Sequence, residues 1–355
     1  MKARDTSLDA VKGFAIVLVM LGHCIVKNNM VDAAGDPYVY DIIKAIEMPL
    51  FIMISGYLAG LSSKMNSIKE ALTVIKKRAV SYLVPFFVWI FLSNLLSGVF
   101  TPIKALKDVL FHLDWGLWFL MTLFIFTVLI LIADCFPKFW QWAVFLIFAY
   151  GLFLLQSRSG NTFLSPHLSI RYMPYYTLGF LVSRYLLPLR EKENKLLIKL
   201  TEKNVLWCLW GISLVGFVYL IIGFDMVTVH SPLELLAQMT ASLLGSFVCF
   251  FGIYQLYEYK KKKQPIDNTS KAEFHKTPFL SRVGLYTLEI YVLHFRFVKM
   301  LGFYKKGYSL YSLEGVCIVT VSFAVMSVLT WLITFLVKKV PVLNFLLFGK
   351  YRPRR

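Results

Sequence analysis

The chain is poor in charge. Only 16% of its 355 residues are Asp, Glu, Lys or Arg, where a soluble domain would carry roughly 25%. That shortage excludes an ordinary soluble enzyme of this length. Acidic residues are the scarcer kind: 20 Asp and Glu stand against 38 Lys and Arg, a formal net charge of +18. Cysteine is sparse as well. Cys24, Cys135, Cys208, Cys249 and Cys317 all fall in or at the ends of apolar segments, with no Cys-x-x-Cys pair. They read as small buried hydrophobes, which excludes a disulfide framework and a cysteine-based metal site. The sequence has no Gly-x-x-x-x-Gly-Lys-Ser/Thr loop, no zinc-binding pair and no Gly-x-Ser-x-Gly elbow. An ATP-driven pump and a serine hydrolase therefore drop out, and no metal is expected. No internal repeat and no appended soluble domain stands out.

Apolar residues are what the chain has in plenty: 58% are hydrophobic and 16% aromatic, with a mean hydropathy of +0.65. This predicts an all-α, polytopic transmembrane bundle in a lipid bilayer, long enough for about ten spans of about 20 residues. The apolar stretches lie at about 7–26, 42–62, 79–99, 114–133, 139–156, 168–187, 204–223, 233–257, 279–301 and 312–337. Together they predict one membrane domain over about 1–340, followed by a basic cytoplasmic tail over 341–355. Lys2 and Arg4 ahead of an apolar run resemble a signal peptide, but Lys12 interrupts that run and no convincing small-x-small cleavage site follows closely. An uncleaved first helix is expected.

The basic residues sit in short clusters between spans, such as Lys76-Lys77-Arg78 and Lys260-Lys261-Lys262-Lys263. Nucleic acid is not the expected partner of such a pattern; the positive-inside rule accounts for it. Lys2, Arg4, the 64–78 and 190–203 clusters, Lys138, Lys260 to Lys263 and the tail fall on one side, against a sparser other side. The richer side is cytoplasmic, so both termini are expected in the cytosol.

Lys12 and His23 lie eleven residues apart in the first span. At about 100° and 1.5 Å per residue they share a face, about 16 Å apart along the axis. Ionisable groups in a membrane helix point to a functional site. His23 can serve as a general base or nucleophile facing a water-filled cavity, or be a histidine bonded to a backbone carbonyl. Lys12 can meet a phosphate as a point charge, or snorkel to the interface. Asp9, three residues earlier, is placed to fix its ammonium. Gly13 and Gly22 thin this helix for close packing.

Polar residues on other spans reach a similar level. Glu47 precedes Pro49 and Ser55-Gly56 in the second span and is placed either to orient an imidazole or contact a sugar hydroxyl, or to sit in interfacial water. Trp118 fits an interfacial belt as well as a carbohydrate-stacking platform. Arg171 is placed to clamp an acceptor or a lipid headgroup. The ninth span carries Glu289, Tyr291, His294 and Arg296, with Tyr291 and His294 on one face. So much polarity in one span predicts an internal lining.

These segments, in this order, resemble the acyltransferase-3 family of bacterial membrane acetyltransferases. The resemblance rests on Ser7-Leu8-Asp9-Ala10-Val11-Lys12-Gly13-Phe14-Ala15-Ile16 through Gly22-His23, on Met48-Pro49-Leu50-Phe51 with Ser55-Gly56-Tyr57, on Leu117-Trp118-Phe119-Leu120, and on Ile290-Tyr291-Val292-Leu293-His294. It runs through helices one to nine. It implies acyl transfer in the bacterial inner membrane, from cytosolic acetyl-CoA to a hydroxyl of an envelope polysaccharide or its lipid-linked sugar precursor. The family's basic-residue-then-histidine pair falls on Lys12 and His23. Many members have Arg at the first place, and Lys keeps the charge without the bidentate fork. Many also carry His before Met-Pro, where this chain has Glu47. Without a fused extracellular domain, the chain resembles the shorter, fucose-O-acetylase-like branch. The expected site is therefore His23, Glu47 and His294 for chemistry, Lys12 for acetyl-CoA, and Trp118, Arg171 and Tyr291 for the acceptor. A transporter or exporter of a glycan or small metabolite, and a structural partner in glycan synthesis, stay open beside this reading. So does a homodimer.

Overall fold

The computed structural model describes residues 5–28, 38–62, 64–65, 67–96, 98, 101–111, 117–137, 140, 147, 151, 154, 163–188, 198, 202–263, 278–301 and 309–350. Among them there is no strand. The helices are α1 (Thr6–Lys27), α2 (Tyr38–Gly60), α3 (Ile68–Leu96), α4 (Pro102–Phe111), α5 (Trp118–Asp134), α6 (Pro166–Leu181), α7 (Lys203–Gly223), α8 (Pro232–Lys263), α9 (Phe279–Gly284), α10 (Thr287–Leu301), α11 (Leu313–Lys339) and α12 (Pro341–Phe348). Six of the described helices are long and apolar enough to cross a membrane: α1, α2, α3, α7, α8 over Pro232–Lys260, and α11. The 22 residues of α1 span about 33 Å at about 1.5 Å each, against about 30 Å of hydrocarbon. Apolar side chains face outward on these helices, as lipid contact requires: Val215 on α7 is 72% exposed and Val321 on α11 is 61% exposed.

The chain divides into two compact units, one of Met1–Ile54 with Tyr185–Leu332, the other of Ser55–Arg184 with Ile333–Arg355. In the first unit α1 is the central helix, packed against α8, α9 and α10, while α7 packs on α8. Its N-terminus is capped by the Asp5 carboxylate, which accepts from the backbone N–H of Ser7 at 2.9 Å and of Leu8 at 3.2 Å. Ser7 in turn donates to Glu258 at 2.8 Å, and Ser281 donates to the Thr6 carbonyl at 2.9 Å. Close approach fixes the crossing of α1 and α9. A β-carbon on Gly13 would overlap the Leu280 carbonyl, and one on Gly284 would overlap the Asp9 carbonyl. Small residues let two helices meet backbone to backbone, where a membrane core depends on packing for its cohesion.

In the second unit α3 packs on α4, α5 and α12, and α5 on α6. The α12 helix falls within the segment read as a tail; Trp89 of α3 donates its indole N–H to the Leu347 carbonyl at 3.0 Å. A π-helical turn, Val182–Leu186, extends α6. It carries Arg184, which pairs with the buried Asp134 carboxylate at 2.8 Å and donates to the Ser62 carbonyl at 2.7 Å.

Several boundaries differ from the expected ones. The third span, expected from about 79, starts at Ile68, because the Ser67 hydroxyl accepts from the Glu70 N–H at 3.2 Å and starts the helix in the polar region. The α8 helix runs on through Lys260 to Lys263. The ninth span is broken into α9 and α10 by a turn at Leu285 and Tyr286, just after the Gly284 contact. Pro102–Phe111 adds a short helix where none was expected. Most of the expected span at 139–156, the start of the one at 114, and most of the 190–203 cluster lie outside the described residues.

Candidate active site

The central helix carries His23 one turn before its C-terminal end, and α10 brings His294 against it. The two imidazole rings lie 5.2 Å apart, centre to centre, at 41°. Phe295 closes a second side, edge-on to His23 at 5.2 Å and 67°. The Lys27 ammonium, one turn further along α1, rests 5.6 Å from the centre of the same Phe295 ring, a cation–π contact. Tyr291, one turn before His294, sits 5.9 Å from it ring to ring. Tyr291, Glu289 and His294 are all buried, so this stretch of α10 faces protein rather than lipid.

His294 is held by its own helix. Its Nδ1 lies 2.9 Å from the Ile290 carbonyl. A carbonyl only accepts, so Nδ1 carries the proton and Nε2 carries the lone pair. That Nε2 is buried with no hydrogen-bond partner among the described residues, on a side chain only 1% exposed.

Glu47 comes from α2. Its carboxylate lies beside Gly22, the residue before His23: a β-carbon there would stand 3.0 Å from Oε2. It pairs with Lys44 on its own helix at 3.4 Å. Among the described residues no hydrogen bond joins Glu47 to His23. Lys12 pairs with Asp9 at 2.5 Å, the ammonium side chain 17% exposed and the carboxylate 4%. An ammonium has three donors, and the partial exposure suits a phosphate approaching from outside the bundle.

The structure thus brings His23, Glu47, His294 and Tyr291 together in the first unit, with Lys12 on the same helix as His23. Trp118 and Arg171 belong to the second unit. There Trp118 stacks on Tyr172, the neighbour of Arg171, at 5.0 Å and 22°, so Tyr172 already covers one face of the indole. The sequence reading did not single out Phe295 or Lys27. The signal was present in the four-residue step from His23 to Lys27 and in the adjacency of Phe295 to His294. Among the described residues, no three His, Cys, Asp or Glu side chains are grouped to hold a metal ion.

A family model described as an acyltransferase domain, acyltransferase-3, matches residues 5–335. The nodulation protein NolL of Mesorhizobium japonicum is 30% identical over 191 residues, 51% of this chain and 48% of that protein. The nodulation protein NolL of Sinorhizobium fredii is 28% identical over 226 residues, 60% of this chain and 57% of that protein. The chain spans about half the length of the curated relatives it matches. No solved structure matches it. With residues 5–335 covered by one family model, the chain belongs to the acyltransferase-3 family of acyl-transferring enzymes.

Proposed function

We propose that this protein is a multi-pass O-acetyltransferase of the bacterial inner membrane, with about ten spans and both termini in the cytosol. It moves an acetyl group from cytosolic acetyl-CoA to a hydroxyl of a cell-envelope polysaccharide or its lipid-linked sugar precursor. The observation that carries this reading is the contact between His23 of α1 and His294 of α10, ring to ring at 5.2 Å. Two imidazoles in contact inside an apolar bundle suit proton movement or acyl carriage.

Lys12 meets a phosphate of acetyl-CoA near the cytosolic end of α1, and the thioester reaches the level of His23. His23 takes part in the acid–base or nucleophilic work, with His294 and Glu47 beside it. Tyr291, Trp118 and Arg171 contact the acceptor. The acceptor hydroxyl loses its proton, its oxygen bonds to the acetyl carbon, the carbon–sulfur bond breaks, and the proton ends on the CoA sulfur. A neutral imidazole is required, so the rate falls as pH drops through the pKa of His23.

The test is transfer of labelled acetyl from acetyl-CoA to envelope glycan by membranes holding wild type or His23→Ala at equal expression. Label in glycan with wild type only is the expected result. Equal labelling by both removes His23 from the mechanism. No labelling by either, with intact protein and a competent acceptor, overturns the acetyltransfer reading and favours a transporter.

A further inference from the structure

The two histidines of the site are not equivalent, and the difference divides the chemistry between them. We propose that His294, not His23, first takes the proton of the acceptor hydroxyl, through its Nε2, and that the Ile290 carbonyl sets it up to do so. This rests on the acetyltransfer reading above and deepens it.

Three observations lead there. First, the Ile290 carbonyl lies 2.9 Å from His294 Nδ1 and fixes the tautomer. A proton on Nε2 would set a lone pair on Nδ1 against a carbonyl lone pair, so the ring holds its proton on Nδ1. Second, Nε2 is then a lone-pair acceptor, buried and without a donor among the described residues. Buried polar atoms in native proteins nearly always have a partner, and an acceptor left open inside an enzyme matches a donor that arrives with the substrate. An alcohol O–H is such a donor; the thioester of acetyl-CoA is not, having no hydrogen to give. Third, His23 makes no hydrogen bond among the described residues; its described contacts are the rings of His294 and Phe295. No hydrogen bond among the described residues fixes its tautomer, which suits a relay, since a relay takes a proton on one nitrogen and releases one from the other.

The groups around the pair are consistent with this division. Tyr291 flanks His294 from within α10. Lys27 on α1 lies over the Phe295 ring that meets His23, and Glu47 of α2, paired with Lys44, lies beside Gly22. Charged groups thus lie on the His23 side, while His294 is keyed by a backbone atom. In the step itself, the hydroxyl proton passes to His294 Nε2 as the acceptor oxygen bonds to the acetyl carbon. The carbon–sulfur bond breaks, and its electron pair leaves on the sulfur. The proton passes from His294 to His23 once the two rings, 5.2 Å apart centre to centre, turn into hydrogen-bond contact, and from the other nitrogen of His23 to that thiolate. One O–H and one C–S bond are lost, one C–O and one S–H bond are gained, and both rings end neutral.

Two measurements test this, one of them independent of activity. In full-length protein labelled with ¹⁵N-histidine in detergent micelles, the His294 signals are assigned by their loss in His294→Asn. Nδ1 is expected with the shift of a protonated ring nitrogen and Nε2 with that of an unprotonated one. The reverse pattern overturns the proposal, whatever the protein catalyses. In the transfer assay, His294→Asn keeps an N–H to give to the Ile290 carbonyl but has no lone pair at the Nε2 position. It is expected to keep its elution volume and its KM for acetyl-CoA, while kcat falls by about 10²–10⁴-fold, the usual worth of a positioned acid or base. A kcat within about threefold of wild type, or a change confined to KM, overturns the proposal. An inactive wild type overturns the acetyltransfer reading and the base role with it, while the tautomer measurement separately tests whether the Ile290 carbonyl sets the His294 ring.

Discussion

The Glu47 carboxylate lies directly against Gly22. A β-carbon at that glycine would stand 3.0 Å from Glu47 Oε2 and 3.1 Å from Ile43 Cγ2. The small residue beside His23 therefore sets how near α2 can bring its carboxylate. Gly22→Ala can be absorbed if the end of the Glu47 chain gives way by a few tenths of an ångström. Gly22→Leu cannot be absorbed so locally. The expected result is a mild loss of thermal stability in detergent for the alanine variant. The leucine variant should lose about 1–3 kcal/mol, the ordinary cost of overpacking. Glu47→Ala should recover part of the alanine variant's loss. Equal stability of Gly22→Leu and wild type would show that α2 does not sit this close.

At the other end of α1, Gly13 and Gly284 meet backbone atoms rather than side-chain ends. No rotamer can relieve a methyl group placed on the Leu280 or Asp9 carbonyl. Either alanine variant must separate α1 from α9. Each is expected to cost more than Gly22→Ala, in the upper part of the about 1–3 kcal/mol range for overpacked cores. Thermal midpoints of the three alanine variants in one detergent provide the ranking, and Gly13→Ala or Gly284→Ala as stable as wild type would contradict it.

Much of this could be read before any coordinates. The first span, expected at about 7–26, is Thr6–Lys27, and the seventh, expected at about 204–223, is Lys203–Gly223. Both are bounded by polar residues where the apolar run stops, so hydropathy alone suffices. It fails at α3, whose first turns are basic and solvated. There the relevant signal is Ser67-Ile68-Lys69-Glu70, a Ser-x-x-Glu start that hydropathy does not weigh. Hydropathy also runs straight through the turn at Leu285 and Tyr286, because a turn made of apolar residues leaves no mark on apolar content. For the site, spacing put Lys12 and His23 on one helix face and Tyr291 with His294 on another. It could not supply the contact between the two faces, nor the Phe295 ring against His23, since periodicity names a face and not its partner.

The pair of Asp9 and Lys12 invites a double-mutant cycle. The two charges are 2.5 Å apart, with the carboxylate side chain only 4% exposed. Asp9→Asn leaves a mostly buried ammonium without that carboxylate, and the loss of one partner of a buried pair typically costs about 3–5 kcal/mol. Lys12→Met combined with Asp9→Asn removes both charges and should be less destabilised than the sum of the single variants. Additive losses, measured by denaturation in detergent, would mean that the pair is not coupled.

The π turn at Val182–Leu186 has a meaning beyond the ion pair it carries. A wide turn of this kind holds one residue more than an α-helical turn, so the chain beyond it is out of phase with the α6 residues before it. Deleting a single residue there would let the helix close into regular geometry, yet every later side chain would swing by roughly 100° about the axis. Arg184 would then leave Asp134 and the Ser62 carbonyl together. The irregularity thus serves as a phase marker. Along this stretch the chain cannot change its length by one without turning Arg184 away from the groups that it holds.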